Sequence, residues 1–305
     1  MVKTRSLYAI IFIGMVIIFA GCDSRQDASQ VPPAQTDITI IKILMDAGRF
    51  DDAYDAVSAA LKADPHNPDL VDVKKELSDA YLYRGLDFDS AGDYEKAVFD
   101  YNRAIELNPN NVSAYVNRGF FYGDQGNYEQ ALTDYTRALE LSPNDASIYI
   151  NRGLMFERLG EYDNAAADYT RAVGLNPADS LTYCSRGAVY EYLCDYDRAI
   201  ADYNRAIGLN PSDSFAYVSR GIAYDEQGEY DKAIEDYTKA IELNPKNADA
   251  WFNRGLAYLN QDDYDGAVSD FRTAVEIEPD YPGIQEMIES LESDNDDTEQ
   301  EEQGD

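Results

Sequence analysis

From residue 78 to residue 281 the apolar positions recur as two stripes in every 34 residues. In the first stripe an aromatic at position 4, a glycine at position 8 and an aromatic at position 11 follow one another. The position-4 aromatics are Tyr81, Tyr115, Tyr149, Tyr183, Tyr217 and Trp251, and the glycines are Gly85, Gly119, Gly153, Gly187, Gly221 and Gly255. The second stripe is Ala at 20, an aromatic at 24 and Ala at 27. In the fourth copy these are Ala199, Tyr203 and Ala206. Spacings of three and four place each set on one helical face, so each unit is predicted to hold two amphipathic helices. Small residues let the two backbones approach, and the aromatics fill the space beside them.

Punctuation fixes the period. Prolines stand at 109, 143, 177, 211, 245 and 279, each 34 residues from the last. The residue before a proline avoids the helical region, which ends the second helix. Gly92, Gly126, Gly160 and Gly228, all at position 15, end the first, because glycine tolerates a left-handed backbone. With the proline at position 32, the units are 78–111, 112–145, 146–179, 180–213, 214–247 and 248–281.

This pattern resembles the tetratricopeptide repeat (TPR), with its aromatic–Gly–aromatic first helix, Ala–aromatic–Ala second helix and closing proline. The resemblance implies an all-α fold, a right-handed α-solenoid of about seven helix-turn-helix units. The first unit is degenerate: Gly48, Phe50, Ala53, Ala60 and Pro65 match positions 15, 17, 20, 27 and 32, but residues 38–46 lack the aromatic and glycine marks. An insertion around Pro68 to Leu77 is expected to be helical, completing a segment of residues 38–77. Residues 282–293 read as a capping helix, which an open array end requires, and 294–305 as an acidic tail.

Position 7 is arginine in every full copy (Arg84, Arg118, Arg152, Arg186, Arg220, Arg254), where the family commonly has leucine. Position 23 is aspartate in every copy (Asp100, Asp134, Asp168, Asp202, Asp236, Asp270). A planar guanidinium inside a helix pair needs a carboxylate, so a ladder of internal ion pairs is expected. The competing reading, a basic stripe for an acidic ligand, is disfavoured because every arginine has its aspartate.

The family resemblance also implies that the first helices line a groove. Position 6 there is Asn117, Asn151, Ser185, Ser219 and Asn253, with Tyr83 in the first copy, and asparagine can donate to and accept from a peptide backbone. Position 5 (Val116, Ile150, Phe252 among others) and position 9 (Phe120, Leu154 among others) supply apolar lining, and position 12 (Asp89, Glu157, Glu191, Asp225) an acidic rim. The Lys and Asn that clamp a partner's terminal carboxylate in some TPR modules are absent at positions 5 and 9. The groove therefore suits an extended or helical segment with apolar and basic side chains.

The first 21 residues read as a signal peptide. Lys3 and Arg5 precede an uncharged apolar run, Leu7 to Ala20, and then Phe19-Ala20-Gly21-Cys22. This end resembles a bacterial lipobox, which implies lipidation of Cys22 and an extracytoplasmic, membrane-anchored protein; an uncleaved anchor is the alternative. Residues 22–37, with Pro32-Pro33, have linker composition.

Charge and inventory narrow the function. Twenty-five Lys and Arg stand against 58 Asp and Glu, a net charge of -33, which excludes binding to a phosphate backbone. A single histidine, His66, cannot furnish a multi-histidine metal site, and no nucleophile–base pair or metal spacing appears. Cys184 and Cys194 read as a buried small residue and a turn substitution. Of 25 tyrosines, 20 occupy positions 4, 11, 17 and 24 of the full repeats, which makes the tyrosine excess a matter of packing. The sequence thus points to a non-enzymatic interaction scaffold of the cell envelope, without cofactor or metal. A regulatory or substrate-presenting subunit of an envelope enzyme complex is the alternative.

Overall fold

The computed structural model describes residues 38–280 and 283–292, and every regular element among them is helical. The signal segment, Cys22, the linker and the acidic tail lie outside the described residues. The chain divides into two compact units, after Leu77.

In the first unit, α1 (Ile38–Asp46) and α2 (Phe50–Ala63) form a short antiparallel pair, and α3 (Asp69–Ser90) starts there. Its core is Ile41, Ala53, Val57, Ala60, Leu70, Val73 and Leu77. Gly48 turns the chain between α1 and α2 with φ +70°. The residues around Pro68 to Leu77 belong to α3, which is 22 residues long.

The second unit continues along α3 and adds α4 (Tyr94–Leu107), then five further helix pairs. These are α5 (Val112–Asp124) with α6 (Tyr128–Leu141), α7 (Ala146–Arg158) with α8 (Tyr162–Leu175), and α9 (Ser180–Tyr192) with α10 (Tyr196–Leu209). α11 (Ser214–Glu226) with α12 (Tyr230–Leu243), and α13 (Ala248–Leu259) with α14 (Tyr264–Ile277), complete the array. A last helix, α15, spans residues 284–292. It buries Ile284 and Ile288 against Ala267, Phe271 and Ala274, so the final pair does not present a bare apolar side. Among the described residues no helix is long and apolar enough to cross a membrane.

Local chemistry sets the helix ends. Asn111, Asp145, Asp179, Asp213 and Asn247 cap the first helices from α5 to α13, each side chain accepting a backbone N–H two or three residues on. The first helices end in a left-handed residue. That residue is Gly92, Gly126, Gly160 or Gly228, but Cys194 (φ 56°) and Asp262 (φ 63°) in the fourth and sixth repeats. Cys194 thus lies in the turn after α9.

The core follows the two stripes. Ala at positions 20 and 27 and the aromatic at 24 are almost fully buried in all six repeats. Each position-24 ring packs directly against the glycine of its own repeat. A Cβ on Gly221 would sit 2.6 Å from Tyr237 Cε1, and one on Gly187 2.8 Å from Tyr203 Cε1. Glycine at position 8 is therefore imposed by the ring across from it.

Candidate functional site: the inner face of the helix array

Two layers of side chains matter, one between the helices and one on the open face. Between the helices, Nε and Nη2 of each position-7 arginine donate to the two carboxylate oxygens of the aspartate 16 residues on. The distances run from 2.6 to 2.9 Å in all six repeats. The aspartate side chains are 1–8 % exposed. Bidentate, charge-assisted bonds of this kind tie the first helix of a repeat to its second. In Arg152 the bonds to Asp168 hold the guanidinium pKa above its ordinary value.

The third guanidinium nitrogen makes a link that the sequence reading did not anticipate. Nη1 reaches the second helix of the preceding repeat, at position 25: Arg118 to Asn102, Arg152 to Thr136, Arg186 to Thr170, Arg220 to Asn204 and Arg254 to Thr238. The signal was present, since position 25 alternates only between Asn and Thr in those five copies. The aromatics at positions 4 and 11 enclose the same guanidinium. The Arg152 Cζ lies 5.8 Å from the ring centroids of both Tyr149 and Phe156, within cation–π range. Each of these arginines is thus engaged within the fold.

On the open face, positions 2, 6, 9 and 13 of the first helices fall in one stripe. A hollow of about 340 Å³ opens there between the second and third full repeats. Phe120, Asp124, Tyr135, Asn151, Leu154, Met155 and Arg158 line it. Position 12 of the second full repeat, Gly123, forms part of its wall, and Met155 Sδ packs to within 2.8 Å of where a Cβ would stand. Phe120 is 52 % exposed and Leu154 39 %, while Asp124 and Arg158 give the hollow one charge of each sign.

The groove residues expected from the sequence separate into groups. Phe120, Asn151 and Leu154 meet at the hollow. Position 5 does not line it: Val116, Ile150 and Phe252 are half-buried and pack against the core clusters, because that position faces the neighbouring helix. Ser219 is buried, and Ser185 half-buried. Asn117 and Asn253 each donate an amide proton to a carbonyl of their own helix, four residues back, at 2.8 and 2.9 Å. A continuous asparagine ladder is therefore not in place; the helix itself competes for those amides.

The position-12 acids were expected as a rim and are instead half-buried against position 24. Tyr169 donates its phenol to Glu157 Oε1. Desolvation raises the Glu157 pKa, opposed by that bond and by Arg158. Asp89 and Asp225 are a methylene shorter, and the hydroxyls of Tyr101 and Tyr237 stay without a hydrogen bond. Asp225 Oδ1 accepts instead from Asn260 of the next repeat, at 3.4 Å. Glu191 faces Tyr203, whose hydroxyl lies close enough to lower the Glu191 pKa without a well-aligned hydrogen bond to Oε1. Burial first, and then Glu226, push the Glu191 pKa up to about 7 against the lowering effect of Tyr203. Cys184 is buried, and its thiol is pushed up to about 12 by desolvation and by Asp213 and other nearby carboxylates. Among the described residues no cluster of His, Cys, Asp and Glu could hold a metal ion.

A ladder of stacked helix pairs with its charges matched internally and an open, partly apolar inner face defines a repeat scaffold for protein–protein interaction. The comparisons agree. Profiles described as TPR repeat match residues 85–126 and 221–262, and profiles described as tetratricopeptide repeat match 122–180, 180–213 and 248–281. The chain belongs to the tetratricopeptide-repeat family. No curated protein matches it in a sequence search. Among solved structures it is similar to YrrB, described as a TPR protein with an unusual peptide-binding site (25 % identity, TM-score 0.53, 61 % of this chain and 96 % of that one). It is also similar to the MamA protein (30 % identity, TM-score 0.52, 55 % and 92 %). The fold is shared with pilF of Pseudomonas aeruginosa (20 % identity, TM-score 0.58, 70 % and 97 %).

Proposed function

We propose that this protein is a membrane-anchored scaffold outside the cytoplasm that holds an extended or helical segment of a partner protein on its inner face. The observation that carries the reading is the hollow between α5 and α7, where Phe120 and Leu154 stand exposed beside Asn151. Exposed large apolar side chains around a concave polar group are the usual form of a segment-binding site. The peptide-binding site named for YrrB supports the same use of the fold. With a net charge of -33, the surface favours basic and apolar partners and repels nucleic acid. The anchor is assigned to lipidated Cys22, after removal of residues 1–21, with 22–37 as spacer; the motif Phe19-Ala20-Gly21-Cys22 supports this.

The test is crosslinking and pull-down from native membranes, with the wild-type chain beside Phe120→Ser/Leu154→Ser. Partners lost only from the double variant support the hollow as the site, and identical partner lists overturn it. Intact mass of the N-terminus tests the anchor: a diacyl- or triacyl-modified Cys22 supports it, and a free Asp23 or retained residues 1–21 overturn it.

A further inference from the structure

Resting on that reading of the inner face, we infer that the hollow between α5 and α7 reads one extended motif: an apolar side chain with a basic residue two places to one side and an acidic residue two places to the other. The partner segment is then not simply apolar and basic, since it carries one acid that this acidic protein attracts. The cavity is the starting point. Phe120 of α5 and Leu154 of α7 stand exposed on its walls, with the buried side chains of Tyr135 and Met155 between them. Its volume of about 340 Å³ lies at the small end of the roughly 300–1,000 Å³ usual for binding clefts. That size suits the side chains of a single segment.

Three polar groups at the hollow are left uncommitted by the fold. Asp124 on α5 and Arg158 on α7 line it, and both are exposed. Among the described residues neither makes an ion pair or a side-chain hydrogen bond, whereas the nearby Arg118 and Arg152 are held by Asp134 and Asp168. The charges closest to them do not satisfy them. Arg158 acts on Glu157, which already accepts from Tyr169, and Asp124 acts on Asp89, a like charge. Arg158 is also the one cation in its row, since position 13 is Ser90, Asp124, Arg158, Tyr192, Glu226 and Asn260. The third group is Asn151. Asn117 and Asn253 give an amide proton to their own helices, but the half-buried Asn151 makes no such bond and borders the hollow.

These groups define the occupant. The Asn151 amide can donate to a peptide carbonyl and accept from a peptide N–H at once. A helix uses both of those groups internally, so the amide selects an extended segment. In an extended chain, residues two apart share a face and stand about 6.6 Å apart. With the apolar residue seated between Phe120 and Leu154, the residues two places before and after turn toward the same two walls. Packed helix axes lie about 8–10 Å apart, which keeps both walls within reach of long side chains. Charge complementarity then sets the order: the base lies over α5 at Asp124, and the acid over α7 at Arg158.

The experiment uses the full chain in detergent and the fluorescein-labelled probe Ala-Lys-Ala-Leu-Ala-Glu-Ala-amide, read by anisotropy at physiological salt. Replacing the probe's glutamate by glutamine is expected to weaken binding to the wild type about threefold. Bulk attraction to a protein of net charge -33 predicts the opposite, tighter binding once the acid is gone. In Arg158→Gln that loss should vanish, while the loss from replacing the probe's lysine by glutamine should remain; in Asp124→Asn the pattern should reverse. Asn151→Ala should weaken binding of every probe about fivefold, and an unchanged affinity overturns the extended backbone contact. If removing the probe's acid tightens binding, or has the same effect in the wild type and Arg158→Gln, the charge motif falls; loss of binding in Phe120→Ser/Leu154→Ser then keeps the hollow as a site. If the wild type does not bind the probe, or that double variant binds it equally well, hollow and motif both fall.

Discussion

The arginine ladder makes its sharpest prediction at Arg152. Its Nε and Nη2 hold Asp168 at 2.7 and 2.8 Å, and its Nη1 reaches Thr136 of the preceding repeat at 3.2 Å. The Asp168 side chain is 7 % exposed and that of Arg152 20 %. In Arg152→Leu the leucine recovers the packing that the family commonly has at this position, but it strands a buried carboxylate. Breaking a buried pair from one side costs about 3–5 kcal/mol. The fifth of Arg152 that is exposed admits some water, which brings the expected cost to about 2–3 kcal/mol, with about 0.5–1 kcal/mol more from the Thr136 bond. Asp168→Leu should cost a similar amount by stranding the guanidinium. The double variant should cost less than the sum by about 2 kcal/mol, because neither charge is then left alone. Long arrays do not unfold in one step, so urea unfolding by circular dichroism should be paired with hydrogen exchange of the α7 and α8 amides. Additivity of the two single variants within about 0.5 kcal/mol would refute the argument that these residues act as a pair.

Further outcomes follow from the geometry. Gly221→Ala places a Cβ 2.6 Å from the fully buried ring of Tyr237 and should destabilise by about 1–3 kcal/mol; Gly174→Ala, with nothing within 4 Å, should stabilise by about 0.5–1 kcal/mol, both by denaturant titration. Cys194→Gly removes a side chain from a backbone at φ 56° and should raise stability by about 1 kcal/mol, with an unchanged helical spectrum. The Glu191 pKa is raised from 4.5 to about 7, so its contribution to stability is present in acid and lost as pH rises through about 7. Glu191→Gln should therefore raise the melting temperature at pH 8 and leave it nearly unchanged at pH 4.

The periodic residues made the fold legible. Position 8 can only be glycine under a position-24 ring, position 15 requires a left-handed residue, and position 32 stops the helix, so each leaves a mark at a fixed interval. The Arg–Asp pairing was legible for the same reason, since both members recur. What the sequence reading misjudged depends on reach within a repeat. Position 5 turns toward the neighbouring helix and not toward the groove, a difference of a fraction of a turn that composition does not reveal. Asn117 and Asn253 look like free amides until the carbonyls of Ser113 and Asp249 are seen to accept from them. The position-12 acids sit 12 residues before a tyrosine, which places the two on facing helices. Glu157 meets its phenol where Asp89 and Asp225, one methylene shorter, do not. The hollow at Phe120 lies beside Gly123, where the position-12 row of acids is broken, a departure visible only by comparing one copy with the others.

The link from the position-7 arginine to position 25 of the preceding repeat, made from Arg118 onward, makes the seams between the full repeats interchangeable. Excision of residues 146–179 would bring Arg186 to Thr136, the same threonine oxygen that Arg152 uses. It would also set Asp145 directly before Ser180, where Asp179 now caps the helix. Gene-level duplication or loss of whole 34-residue units could therefore lengthen or shorten the scaffold without redesigning a single seam. The inner face, whose side chains differ from copy to copy, is where such a rearrangement would be felt.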